Sequence, residues 1–349
     1  MATTEPLLLD QLQLDTFLQD GVLVVDDILS KEELERARNG LEDTLRSQGV
    51  DPDHLEGTGR NLASLSSTNG SGGVLDIFYT QWQLKVASNP KLWSVTKQLW
   101  DVGYDATRTD HRWHPHGAFD TQSGYMYLDR VGYRLPTALA QKLGTSKKRP
   151  IQRSLTPHLD CCPESFHEDP HKWRPIQCFV SLTDNLQPNT GGFEAAKGFH
   201  REFDDWAKAR PATQVTKGGV TETFPAPCIG NYTHIRPNED KDIMDRVNHI
   251  PVKAGSVVFW DNRIPHANSY RHDGDSPRAV VYCSFLPNVP KNRLYAERQL
   301  DKWKRGQYPS DQWIAAGTDG TDSSFEQRLS QLSPLARKLL SIDPWSQYE

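Results

Sequence analysis

No run of about eighteen apolar residues, the length a membrane-crossing helix needs, occurs in the chain, and its opening "MATTEPLLLDQLQLD" lacks a basic segment ahead of an apolar one. Neither a membrane span nor a secretory leader is expected. The ending "PWSQYE" is not a peroxisomal tripeptide, so the expected location is cytoplasmic.

Excess positive charge is missing too. Lys and Arg number 40 against 45 Asp and Glu, the formal charge is -5, and no long basic run appears. That removes the electrostatic footprint of a nucleic-acid or anionic-membrane binder and leaves a small molecule as the expected partner. Oligomeric state is not legible. The cysteines, Cys161, Cys162, Cys178, Cys228 and Cys283, are odd in number, and the adjacent pair lacks the two-residue gap of a zinc knuckle. Reduced thiols in an intracellular protein are the expectation.

At 349 residues the chain can bury a sizeable core, and its texture suggests one elaborated domain in three parts. Residues 1–122 are rich in helical patterns. "QLQLDTFLQ" predicts a short helix and "GVLVVDDIL" a strand. Ser30, three residues before Glu33, predicts a capping box, with Gly49 a suitable stop for the helix it starts. Residues 52–75 read as a polar loop. The stretch from "VLDIFYTQ" to "WDVG" reads as mainly helical, divided at Pro90.

Residues 123–290 change to short β-like runs separated by turn residues: "GYMYLDRV", "PIQRSLTPHLD", "PIQCFVSLTD", "GGFEAAKGF", "HIPVKAGSVVFWD" and "RAVVYCSFLP". Such a series predicts a sandwich or jelly-roll barrel. Residues 291–349 return to helix-forming composition.

The chemistry concentrates in "TPHLDCCPESFHEDPHKW", where His-x-Asp occurs twice, as His158-Leu159-Asp160 and His167-Glu168-Asp169. With 12 histidines in the chain, one such pattern is expected by chance. In extended backbone, residues two apart point to one side, so His158 and Asp160 can share a target. His266, after the apolar run 257–260, is the best third ligand. Two imidazoles and one carboxylate with other positions open is the ligand set of non-haem Fe(II) oxygenases, and zinc is the chemical rival.

Arg278 opens "RAVVYCSF" and shares a face with Val280 and Tyr282. A guanidinium aimed into a barrel needs an anionic partner, and its planar fork suits a carboxylate. 2-Oxoglutarate would satisfy both the metal and Arg278. The competing reading of Arg278 is a surface ion pair with Asp273 or Asp275.

Through "HLD", "PIQCFVSLTDNLQPNTGGFEAAKGFH", "VKAGSVVFWDNRIPHANSY" and "RAVVYCSF", in that order, the chain resembles the phytanoyl-CoA dioxygenase family of Fe(II)/2-oxoglutarate oxygenases. "FLQDGVLVVDDILSKEELERAR" is similar to that family's usual opening, and the likeness spans roughly residues 15–290. The resemblance implies a mainly β architecture with flanking helices around a double-stranded β-helix (jelly-roll, cupin-like) core, with Fe(II), 2-oxoglutarate and O2. It implies His158, Asp160 and His266 as iron ligands and Arg278 as the co-substrate arginine, and favours the first His-x-Asp over the second. A carboxylate at position 160 points to hydroxylation or desaturation rather than halogenation, with release of succinate and CO2.

The chain departs from the family in reading Ala196-Lys197-Gly198-Phe199-His200 where a proline-glycine-serine-histidine is common. No upstream lysine stands out for the co-substrate, and Arg134 or Arg153 are the alternatives. Gln177 and Asn268 are candidates for the co-substrate or metal shell, against backbone-bonded strand amides. "HRWHPHG", beginning at His111, reads as a loop ahead of the barrel. Trp113, Tyr125, Tyr127 and Trp173 line either a pocket or the core. Two other classes stay open: a barrel that binds without turnover, and an oxygenase acting on a macromolecule, which a basic rim around the pocket would favour.

Overall fold

The apolar runs of the sequence become the strands of two six-stranded antiparallel sheets. This computed structural model describes residues 8–104, 119–146, 149–161, 172–210, 213–224, 228–229, 232–309 and 325–345. The first sheet runs β1 (Val22–Val25), β12 (Val257–Asp261), β5 (Ile176–Ser181), β14 (Arg278–Pro287), β3 (Gly124–Arg134) and β2 (Val74–Leu75). The second runs β11 (Val247–His249), β6 (Phe193–Ala196), β13 (His266–Asn268), β4 (His158–Leu159), β10 (Tyr232–His234) and β9 (Cys228–Ile229). A separate hairpin joins β7 (Thr213–Lys217) to β8 (Val220–Phe224).

β5 and β12 are buried at every residue, which explains why their sequences run apolar without a polar alternation. One face of the first sheet meets the second sheet. Phe179 of β5 and Trp260 of β12 lie 5.5 and 4.9 Å, centroid to centroid, from Phe193 of β6. Each such ring, fully buried, contributes about 1.5–3 kcal/mol. The opposite face carries Phe285 of β14, whose ring sits 5.1 Å from Trp93 of the helix Pro90–Tyr104.

The helices form where the sequence places their signals. Lys31–Ser47 starts on a complete capping box: the Glu33 N–H donates to Ser30 Oγ and the Ser30 N–H to Glu33 Oε2. Gly49 just beyond it takes φ +75°, the left-handed conformation glycine accepts most easily. Gln11–Asp20 and Gln81–Ala87 are helical, and Pro90 occupies the first turn of the next helix. After β14 come helices Pro290–Lys304, Phe325–Ser330 and Pro334–Leu339. Among the described residues no helix is long and apolar enough to cross a membrane.

Three expectations need correction, and the first is that the polar loop read over 52–75 carries the helical turns Pro52–His54, Leu55–Thr58 and Gly59–Leu65. The strand expected across "PIQRSLTPHLD" contracts to His158–Leu159. The Gln152 side chain takes the place of a ladder there, accepting from Leu135 N–H and donating to the Tyr133 carbonyl. The helix expected from Val74 begins instead as β2, paired to Gly132 and Val131, because Gly72 and Gly73 turn the chain onto β3 with positive φ.

Candidate metal centre

β4 and β13 meet at one register pair, His158 opposite His266. Directly opposed residues of a ladder share a face, and the two imidazole centroids are 4.7 Å apart. Asp160 follows two residues after His158. Its Oδ1 is 3.5 Å from His158 Nε2 and its Oδ2 3.6 Å from His266 Nε2. One nitrogen or oxygen from each of the three lies within 4.8 Å of the others, and no further His, Cys, Asp or Glu among the described residues joins the group.

The histidines are oriented by backbone. His158 Nδ1–H donates to the Thr156 carbonyl at 3.0 Å and His266 Nδ1–H to the Ile264 carbonyl at 2.9 Å. With each Nδ1 committed, a neutral ring directs its Nε2 lone pair at the shared point, as in metal-ligating histidines. Asp160 is itself exposed, and the desolvation its neighbours impose would raise its carboxyl, but hydrogen bonds with His158 and His266 hold it well below the ordinary range. Burial lowers His266, while at His158 burial is outweighed only by the bond to Asp160, its charge and the Thr156 carbonyl together, which raise the imidazole. The donor set fits a divalent cation that accepts two imidazole nitrogens and one carboxylate oxygen. A closed structural zinc site would want a fourth ligand.

Arg174 backs this carboxylate. Its Nη2 is 3.8 Å from Asp160 Oδ2, its Nη1 is 3.3 Å from Asp129 Oδ2, and its guanidinium lies 4.5 Å over the Tyr127 ring. Nothing in the local sequence signals this role.

Arg278 is 3% exposed and on the same inner face, its guanidinium 5.0 Å over the ring of Phe179. Its Nη1–H donates to Asn268 Oδ1 at 3.0 Å, whereas Asp273 pairs with Arg271, so the surface ion pair with Asp273 is not formed. Asn268 lies two residues beyond His266 on β13, and its amide nitrogen donates to Gly72 O and Tyr282 Oη. Burial pushes the Arg278 guanidinium down, opposed by the Tyr282 hydroxyl. Gln177 is buried beside Trp260 in register, and its Nε2 has no partner. Tyr282 was visible in the sequence as a face-mate of Arg278, but its bond to Asn268 was not.

Other expectations resolve differently. Trp173 is core, 1% exposed and edge-on to Phe119 and Tyr104. Tyr125 and Tyr127 form a small cluster with Tyr295. Cys161 is buried, and burial pushes its thiol up. Among the described cysteines Cys161, Cys178 and Cys283 are free thiols. Arg153 is exposed and meets Arg134 through its carbonyl. His167-Glu168-Asp169, Cys162, Trp113 and the histidines of "HRWHPHG" lie outside the described residues.

A family pattern described as Gig2-like matches residues 174–337, less than half of the chain. The match includes Gln177, His266, Asn268 and Arg278 and begins after His158 and Asp160. None of the curated proteins matches by sequence. The crystal structure of GlcNAc Inducible Gene 2 from Candida albicans is similar over 98% of this chain and 78% of its own, with a TM-score of 0.69 at 15% identity. A hypothetical protein from Escherichia coli is similar over 95% of this chain and 82% of its own, with a TM-score of 0.67 at 16% identity. At these identities the likeness is one of fold. EctD from S. alaskensis, solved with 2-oxoglutarate and 5-hydroxyectoine, covers 80% of this chain and 76% of its own at a TM-score of 0.47 and 17% identity, too low to decide anything about this chain.

Proposed function

We propose that the chain is a non-haem Fe(II)/2-oxoglutarate-dependent dioxygenase acting on a small organic molecule. The observation that carries the reading is the convergence of His158 Nε2, His266 Nε2 and the Asp160 carboxylate, with both Nδ1 atoms already committed to backbone carbonyls. When bound, Fe(II) with 2-oxoglutarate and O2 supplies oxidative decarboxylation to succinate and CO2 and the oxidant that hydroxylates or desaturates a C–H bond. His158, Asp160 and His266 would hold the metal.

The protein's own work is orientation and exclusion of water. Arg278, desolvated against Phe179 and steadied by Asn268, offers a buried fork for the far carboxylate of the co-substrate. Tyr282 fixes Asn268, and Gln177 brings an unpartnered amide nitrogen to the same inner face. The two facing sheets are taken as a double-stranded β-helix, with 1–122 and 291–349 as its helical flanks in a single domain.

The test is succinate formation from 2-oxoglutarate with added iron, in the native chain and in His158→Ala and Arg278→Ala. Turnover should vanish in the first and require far more co-substrate in the second. Undiminished turnover in His158→Ala would sink the reading.

A further inference from the structure

β3 and β14 set two arginines directly against each other. Arg134 and Arg278 are register partners, so both side chains leave the same face of the sheet, and each residue is 3% exposed. Like charges directly opposed destabilise a sheet, and a buried charge without a counter-charge costs more still. The hydrogen-bond partners of both are neutral: Arg134 Nη1–H donates to the Arg153 carbonyl at 2.7 Å, and Arg278 Nη1–H to Asn268 Oδ1 at 3.0 Å. Arg134 Nε and Arg278 Nη2 are buried without a partner.

His272 adds a third donor. The Gly274 N–H donates to its Nδ1 at 3.2 Å, which places the ring proton of the neutral form on Nε2, and that Nε2 is buried without a partner. Burial first, then the charge of Arg134, lowers the imidazole to about 4, so at neutral pH it donates without adding charge. Arg134 is itself lowered to about 10, by burial and then by Arg278. Gly191 shows how tightly the groups meet: a Cβ there would lie 2.8 Å from the His272 ring and 3.1 Å from Arg134 Cγ. Asp273, next in sequence, is engaged with Arg271.

A groove of about 710 Å³ runs past His272 and Arg278, and neither Arg134 nor any of the three candidate metal ligands lines it. Of its four acidic residues, Glu42 and Asp53 are paired with Arg46, and Asp184 and Asp275 line it as well.

We propose that Arg134, Arg278 and His272 together form a receptor for a doubly charged anionic group of the phosphate class. The charge count decides it, because one carboxylate answers one guanidinium and leaves the other buried without a counter-charge. A phosphate-class group has charge for both and acceptor oxygens for three donors. The inference rests on the co-substrate reading for the place of Arg278 and deepens it: 2-oxoglutarate satisfies half of the receptor, and phosphate-class anions compete for the same slot.

The experiment titrates the full-length chain calorimetrically, with and without Fe(II), using 4-phosphonobutyrate and glutarate. These match in the number of methylenes between their acid groups and differ in charge at one end near pH 8, where most of the phosphonate carries its second charge. Neither carries a keto group, so chelation of iron by a keto acid plays no part. The phosphonate is expected to bind about tenfold tighter, the scale of one added charge-assisted pair. In Arg134→Gln the preference should fall to about twofold with glutarate still bound, and Arg134→Lys, which keeps the charge, should retain it. Inorganic phosphate alone displacing glutarate identifies a receptor that reads charge, and phosphonobutyrate displacing it where phosphate does not identifies an organic phosphate ligand. Equal affinities in the native chain, binding of neither ligand, or an unchanged preference in a folded Arg134→Gln overturns the proposal. Failure to form succinate bears on the metal reading and leaves this result standing.

Discussion

His158 and His266 are matched across a single β-bridge, each ring bonded through Nδ1 to the carbonyl two residues upstream, with centroids 4.7 Å apart. The pair is set for a ligand by backbone geometry alone, so binding a cation should stabilise the native state. At a free metal concentration about 100-fold above its dissociation constant, the gain is about 2.7 kcal/mol. Chemical denaturation with and without Fe(II) or Mn(II) should show it in the native chain. In His266→Ala the gain should disappear, and a chelator should remove it from the native chain.

His272 makes stability depend on pH. Its folded-state value of about 4 lies below the unfolded value near 6.5, so the unfolded chain binds the proton more readily. The contribution is fully present above about 6.5 and is lost as pH falls toward about 4. Melting temperatures measured through that window should fall less steeply in His272→Gln than in the native chain.

Gly132 leaves room for Tyr282. A Cβ at that position would meet Val280 Cγ2 at 2.7 Å, Tyr282 Cε2 at 3.2 Å and Tyr282 Oη at 3.4 Å. Gly132→Ala is therefore expected to cost about 1–3 kcal/mol of overpacking. Because Tyr282 Oη accepts from Asn268, the KM for 2-oxoglutarate should rise more than kcat falls. An unchanged KM would mean that Tyr282 does not support the co-substrate end.

Arg263 and Asp261 form a pair that serves the fold. Arg263 reaches both Asp261 oxygens at 3.0 and 3.1 Å, Tyr104 Oη donates to Oδ2 at 2.6 Å, and Asp261 is 0% exposed. Arg263→Met strands a buried carboxylate and should destabilise by about 3–5 kcal/mol in urea denaturation. Tyr104→Phe removes only one bond to the same carboxylate and should cost about 1.5–3 kcal/mol.

What the sequence disclosed follows the range of the physics involved. The apolar runs at 176–181, 257–261 and 278–287 are strands because residues buried on both faces need no polar alternation. Ser30 and Glu33 met as their spacing predicted, since a capping box is closed within one turn. His158 and Asp160 were readable as a spacing of two. That His266 lands opposite His158 depends on pairing between distant strands, which spacing alone does not encode; its place after the apolar run 257–260 made it the candidate, and the resemblance implied the same ligand set. The Arg134–Arg278 opposition was hidden for the same reason. A register shift opposite Tyr282, where Asp129 and Arg130 of β3 face one residue of β14, further breaks the two-residue alternation along β3, so a strict count of faces fails there.

Asn268 gives β13 the character of a ruler. One three-residue strand carries His266 at one end and, through the Asn268 amide, the anchor of Arg278 at the other. Two residues of strand advance about 6.6 Å, and the peptide unit cannot stretch to lengthen that interval. The length of a molecule spanning metal and guanidinium is thus calibrated by backbone. If the proposed dioxygenase reading holds, exchanging the surrounding loops should change the substrate while the co-substrate beside it keeps the same number of carbons.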